Sequence, residues 1–566
     1  MIRQVIITLF LLLPVWMVGA QPSGVYIIEG RLTDATTGEP VQYASIGIEG
    51  SSVGTSSNAD GYFSLRIPAS YHSKSYSLKI SCVGYDNEIV QNPSEKLDIK
   101  LKQSKTMLKD VVVFGKDLSP QGIVKRAFAN IKHNYYTKPF IYQTFYRHYC
   151  KDDSVYGRLI EAAADVYKRK GYKVQQPFPG WKDEVRVNQL RRSYDNTKVA
   201  SGHAPIALYS IMGADPVGYQ ARSSSSSMVG FFNQYEISGL RNRLKAYEFT
   251  LEGITEYDGE QVYVIRYKLK KDTIPLSTGI TWRNTQTGTL HITTKGYAIV
   301  KSDFTRMSSM DTLHTFSIFK KVEGKYFLYH SLKDGRNYQP MLKFTHNYHL
   351  ELITTDIITK DIKPFKGKEP DRDKLLSIDY DSTFWNNYNV LKATPLEESI
   401  VADLEKAQPL KDQFTDYIAS EKERYLSGKE DEERFNKFLQ AARGYRPVYI
   451  DVWASWCGPC IREMPASMEL VDKYKARVAF VYLSIDDDSE AWRKALKRYN
   501  IDRPFLTNHF RIGSNSNAAA LFDIKEIPRY ILIDKNGNFV NLNAMRPSES
   551  SISKELDRLL AEEIEK

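Results

Sequence analysis

The chain has 566 residues, 42% apolar and 26% charged, so wholesale disorder is excluded and several packed domains are expected, at roughly 100–200 residues each. The formal net charge is +10, but basic and acidic residues are equal in number from Arg446 onward. The excess therefore lies upstream, with no compact Lys/Arg run and no nucleic-acid motif, and no nucleic-acid partner is expected.

Residues 1–20 have the order of an export signal. Arg3 is the positive start, Val5 to Leu13 is an apolar run broken only by Thr8, and Val18-Gly19-Ala20 offers a cleavage site before Gln21. The alternative is an uncleaved anchor, for which the apolar run is short against a span of about 20 residues. The expected location is therefore the periplasm or cell envelope. Only four cysteines occur, Cys82, Cys150, Cys457 and Cys460, too few for a disulfide framework in an exported chain of this length.

Residues 25–114 read as a small β-sandwich. Alternating runs such as Tyr62-Phe63-Ser64-Leu65-Arg66-Ile67 are separated by turn chemistry at Thr37-Gly38-Glu39-Pro40 and Asn58-Ala59-Asp60-Gly61. Gly30, Asp34, Gly38, Pro40, Ala44, Gly54-Thr55, Asp60-Gly61-Tyr62-Phe63 and Gly84-Tyr85 together resemble the carboxypeptidase-regulatory-like β-sandwich. That resemblance implies a non-catalytic module.

Residues 118–363 open on a helix, with Ile123, Ala127 and Ile131 at helical spacing. Alternating runs follow, from Tyr142 to Tyr149 and then Gln261 to Tyr267, Gly288 to Ile292, Ala298 to Val300 and Lys325 to Tyr329. They predict a Tyr-rich antiparallel β domain with helices, either a large sheet or a half-barrel. The order of these runs resembles exported envelope proteins with a LolA-like half-barrel. Ser223 to Ser227 reads as a loop. Residues 364–444 are expected to hold one or two helices after a linker at Pro364 to Pro370, with Phe414, Tyr417, Ile418 and then Phe435, Phe438, Leu439 at helical spacing.

The chemistry is concentrated in residues 445–566. Pro447 to Trp453 is a candidate buried strand, Ala454-Ser455-Trp456 a turn, and Cys457-Gly458-Pro459-Cys460 the start of a helix reaching about Lys475. This order puts Cys457 at the positive end of a helix dipole, where a thiolate is stabilised. Cys460 lies one turn further in, placed to resolve a mixed disulfide. A zinc site would need two more Cys or His ligands at compact spacing, and none is near, so no metal is expected. Asp451 falls six residues before Cys457 on the buried strand. A carboxyl there would have a raised pKa and could exchange a proton with Cys460, the alternative being an exposed edge-strand Asp. Pro465 is expected to kink the helix. Ile527-Pro528 precedes a second strand and reads as a cis-proline, or else as a plain trans-proline at a strand start.

Trp456-Cys457-Gly458-Pro459-Cys460 resembles the thioredoxin motif. Its continuation to Pro465, the Phe522–Pro528 and Ile531–Gly537 segments, and the Asp486–Arg511 insertion with Trp492 and Leu496 on a helix resemble the exported TlpA/ResA branch. Arg529 stands where Thr is common, and Asp451 matches thioredoxin where this branch often has Asn or Ser. The resemblance implies a thiol–disulfide oxidoreductase with Cys457 as nucleophile, Cys460 as resolving thiol and Asp451 as proton carrier. It also implies a substrate platform made of Trp456, Gly458, Pro459, Ile527 and Pro528. Glu463 is a secondary candidate, with an exposed helix charge as its other reading.

The whole chain is thus expected to be multidomain: an N-terminal β-sandwich, a central antiparallel β-rich domain, and a C-terminal α/β thioredoxin-like fold. The expected activity is reduction of disulfides in exported proteins, with a membrane electron donor and no cofactor beyond the Cys457–Cys460 pair. The alternatives are a disulfide oxidase or isomerase, or an envelope scaffold whose β-rich region contacts glycan or lipid. Cys82 and Cys150 are either free buried thiols or a bridge between domains.

Overall fold

A computed structural model describes residues 26–51, 53–71, 75–104, 119–173, 183–198, 206, 208–220, 236–275, 281–308, 311–339, 343–365, 375, 378–388, 395–406, 408–503 and 506–562. The expected signal segment, the serine run at 223–227 and most of the linker at 364–370 lie outside them.

The N-terminal module has two facing sheets. Tyr62–Ile67, Tyr26–Asp34 and Lys96–Leu101 form one; Gly54–Ser56, Ser45–Ile48, Ser77–Ser81 and Glu88–Gln91 form the other. Phe63, Leu65 and Ile67 alternate with half-exposed neighbours along their strand and meet Ile46, Ile48, Leu78 and Ile80 in one core. This is the period-2 pattern of a sheet with one buried face. Gly30 has a packing reason: a Cβ there would lie 2.4 Å from the Leu97 carbonyl oxygen. Asp34 accepts hydrogen bonds from the Thr36 and Thr37 amides at 2.7 and 2.8 Å, which ties the first turn.

The central domain opens on helix Pro120–Ala129, capped by Ser119, whose Oγ accepts from the Gly122 amide. Among the described residues its sheet has eleven strands. Phe140–Asp152, Val155–Lys168 and Glu184–Arg192 run outward on one side; the strands from Tyr247–Tyr257 to Phe344–Ile358 return to pair with Phe140–Asp152. Among the described residues the two outer strands, Glu184–Arg192 and Tyr247–Tyr257, do not pair with each other, so the sheet is open. Many of its tyrosines fill the core. Tyr135, Tyr142 and Tyr172 are fully buried, and the Leu328 amide donates to the Tyr172 hydroxyl at 2.7 Å. Buried phenols need such partners.

The N-terminal module is docked on this sheet. Ser56 meets His330 at 3.2 Å, the Gly84 amide donates to the Glu256 carbonyl at 3.1 Å, and Tyr43 packs edge-on against His330.

Residues 364–444 hold more helix than the sequence pattern indicated. Four helices are present among the described residues, Ser382–Asn387, Pro395–Leu404, Leu410–Ser427 and Lys429–Ala442. The sequence shows too little apolar periodicity in the first two, which are held by tertiary packing: Trp385 against Phe145 and Ala163, Ile400 and Leu404 against Tyr156. The fourth belongs to the next domain, with Phe435 and Phe438 packed on Phe510.

The C-terminal sheet has the order Thr507–Arg511, Ala479–Ser484, Val448–Trp453, Arg529–Ile533, Phe539–Asn541. The first three strands are parallel and the last two antiparallel. Val448–Trp453 is buried at every position, as a central strand covered on both faces must be. Its even-numbered residues Val448, Ile450 and Val452 face the cluster with Phe435. Tyr449 and Trp453 face the cluster that holds helix Gly458–Tyr474 and both cysteines.

Candidate active site

Cys457 is the N-cap of helix Gly458–Tyr474, and its Sγ accepts from the Cys460 amide at 3.2 Å. Pro459 occupies the first turn, where its missing N–H costs no hydrogen bond. The sulfur therefore sits where unpaired helix amides point. Cys457 and Cys460 are joined, with an S–S distance of 2.04 Å. In this oxidised state Cys457 keeps 4% exposure and Cys460 none. The approach to Cys457 is bounded by Trp456, which is 68% exposed, and by exposed Gly458 and Pro459. The helix continues past Pro465 as a single element.

The Ile527–Pro528 bond is cis. Both residues are half-buried, and Ile527 packs against the cluster that contains the cysteines. Arg529, beside it, donates from Nε to the Leu542 carbonyl.

Asp451 is on the central strand and 2% exposed, not at an edge. By the period-2 rule it shares the face of Tyr449 and Trp453, the face covered by the cysteine helix. Tyr482 and Tyr530 flank it on the adjoining strands. Neither carboxyl oxygen has a hydrogen-bond partner among the described residues. Burial raises its pKa well above 3.8, and the Glu463 charge adds to that. Glu463 itself is half-buried, not a free surface charge. It accepts from the Ser548 amide and hydroxyl at 3.1 and 3.0 Å, tying the cysteine helix to the loop before the last helix, Ser551–Ala561.

A second buried carboxylate holds the turn, and sequence reasoning missed it. Asp486 accepts from the Ser455 amide at 2.8 Å, the Ser455 hydroxyl at 2.6 Å and the Ser484 hydroxyl at 2.7 Å. Its own carbonyl accepts from buried Arg511 at 3.2 Å, while the Arg511 amide donates to Asp431 at 3.0 Å. The only signal was an Asp directly after an apolar strand, at Ser484-Ile485-Asp486. Cys82 and Cys150 form no disulfide and are buried in separate domains, so the interdomain bridge is not formed. Among the described residues no group of three or more His, Cys, Asp or Glu side chains is placed to hold a metal.

Comparison with known proteins agrees with this geometry. A family model described as thioredoxin-like matches residues 444–539, and one described as a CarboxypepD_reg-like domain matches residues 28–113. Residues 444–539 are a thioredoxin-like domain. Among curated proteins, thiol-disulfide oxidoreductase ResA of Bacillus cereus is 31% identical over 94 residues, 16% of this chain and 51% of the relative. A thioredoxin of Alicyclobacillus acidocaldarius is 38% identical over 53 residues, 9% of this chain and 50% of the relative. The chain spans about half the length of these curated relatives. A solved thiol-disulfide oxidoreductase from Bacteroides fragilis is 27% identical and covers 20% of this chain and 82% of its own, with a TM-score of 0.18.

Proposed function

We propose that this chain is an exported thiol–disulfide oxidoreductase that reduces disulfides in envelope proteins. The observation that carries the reading is the Cys457–Cys460 disulfide at the start of a helix in a thioredoxin-like domain. Export is supported by the apolar run Val5–Leu13 behind Arg3. Among the described residues no helix is long and apolar enough to cross a membrane.

The reaction begins with both cysteines reduced. The Cys457 thiolate attacks one sulfur of a substrate disulfide, and the other substrate sulfur leaves as a thiolate that takes up a proton. Cys460 then passes its proton to the Asp451 carboxylate, and its thiolate attacks Sγ of Cys457. The substrate leaves as a dithiol, and the chain holds the disulfide seen in the structure. Two electrons have moved from chain to substrate, and an extracytoplasmic dithiol donor must return them. Trp456, Ile527 and Pro528 hold the substrate strand across the sulfur. The Gly-Pro pair between the cysteines favours the reducing direction, since thioredoxin itself lies near roughly −270 mV.

The test is insulin reduction in dithiothreitol. The wild-type chain should be active and Cys457→Ser inactive, while Cys460→Ala should retain its substrate as a mixed disulfide on Cys457. Activity in Cys457→Ser overturns the mechanism, and a measured potential above roughly −180 mV replaces reductase by oxidase or isomerase.

A further inference from the structure

A cavity lies away from the cysteines, where the N-terminal module meets the central sheet. It holds about 650 Å³, within the range of small-molecule sites. Six lysines and three carboxylates line it, a local excess of positive charge. Asp258 is taken up by Lys79, Lys321 reaches Glu260, and Lys325 donates to the His133 carbonyl. Lys132, Lys138 and Lys320 remain without an ion pair among the described residues.

We propose that this cavity binds a phosphate ester of a small polar molecule, with Lys320 as its central cation and Lys132 and Lys138 at its rim. Lys320 sits where an ammonium is costly to keep. Burial lowers its pKa to about 8, and its Nζ lies 5.3 Å from the Tyr329 ring centroid, a contact that attracts a cation without neutralising it. Gly47 makes room for it: a Cβ there would lie 2.8 Å from Nζ. Desolvation of this ammonium outweighs the attraction of Asp258, whose carboxylate is paired with Lys79, so an anion entering the cavity would relieve it. Lys132 and Lys138 are exposed, so they can close on a ligand that has entered. A cluster of point-charge ammoniums suits a compact tetrahedral dianion, whereas no planar guanidinium fork lines the cavity. Ser45, Ser81 and Thr137 supply hydroxyls for the rest of the molecule.

The experiment is titration calorimetry on the full chain with three probes: inorganic phosphate, glycerol 3-phosphate, and phosphatidylcholine vesicles with or without phosphatidic acid. Saturable binding of the soluble esters, or of the phosphatidic acid vesicles alone, supports the site and identifies its source as free metabolite or lipid headgroup respectively. Lys320→Met should weaken that binding about tenfold or more while the ligand-free melting temperature stays level or rises, because a poorly solvated ammonium has been removed. Lys132→Gln/Lys138→Gln, both on the surface, should weaken it severalfold with the fold intact. Insulin reduction should be unchanged in all variants. The proposal is overturned if none of the probes binds saturably, or if Lys320→Met and the double variant both bind as tightly as wild type.

Discussion

Replacing Asp451 by Asn separates its proton chemistry from its volume. The folded carboxyl titrates well above 3.8 because it is buried without a hydrogen-bond partner. Between its unfolded and folded values the folded domain therefore binds one proton more than the unfolded chain. Stability must fall as pH rises through that window, by about 1.4 kcal/mol per unit. One pH unit inside that window is on the order of 5 °C in the midpoint of a domain this size. Asn cannot titrate, so this slope should vanish in Asp451→Asn, which should gain on wild type as pH rises. The assay is calorimetric melting of the full chain at pH 5, 6 and 7, read from the transition that shifts when dithiothreitol reduces Cys457–Cys460. The same variant should accumulate mixed disulfide in the insulin assay, because Cys460 would lack the proton acceptor proposed for it. Parallel pH dependences for wild type and Asp451→Asn would show an ordinary ionised carboxylate and refute the argument.

The central sheet should respond to pH with the same sign but in a higher window. Hydrogen bonds to Asp303 and Asp334 raise His314 to about 9 against its burial; burial lowers His349, but bonds to Asp334 and Glu351 outweigh it and bring it also to about 9. Their stabilisation is complete below about 6.5 and lost as pH rises through 9, so the central transition should drop between pH 7 and 10, and Asp334→Asn should flatten that drop in the same calorimetry. Phe435→Ala should destabilise the C-terminal transition by about 3–5 kcal/mol, because the ring is fully buried between Phe510 and Phe522. A change under about 1 kcal/mol in denaturant unfolding would mean that helix Lys429–Ala442 does not belong to that core.

What could be read from the sequence was local. The order of buried strand, turn and Cys457-Gly458-Pro459-Cys460 fixes a helix start within a dozen residues, and the period of two places Asp451 on the cysteine face without any distant information. Strands such as Gln261–Tyr267 are visible for the same reason. The pairing of Phe140–Asp152 with Phe344–Ile358 is not, because it joins segments about two hundred residues apart, and alternation specifies a face but not a partner. The helices before the thioredoxin-like domain were undercounted because their stability comes from contacts such as Trp385 on Ala163. The lysine cavity was invisible because its walls come from two domains, and the general basic excess upstream could not say where charges converge.

The acidic first turn of helix Lys429–Ala442 explains why this segment, though outside the cysteine motif, bears on it. Asp431 and Glu432 sit beside each other in sequence but serve different elements. Asp431 accepts from the Arg511 amide, and Glu432 accepts from the Ala518 amide at 2.6 Å at the start of helix Asn517–Leu521. Arg511 in turn donates to the carbonyls of Asp486 and Asp487, and Asp486 grips Ser455, two residues before Cys457. On its other side the same helix donates from Lys437 to the Thr197 carbonyl of the central domain at 2.6 Å. One helix thus touches both the support of the turn before Cys457 and the β-rich body. Its hydrogen bonds are to buried groups, where loss of a partner costs more than at the surface. The thioredoxin-like unit therefore begins at about Lys429, ahead of the strand that announces it in the sequence, and its orientation on the central sheet is set by residues that also steady the turn carrying Cys457.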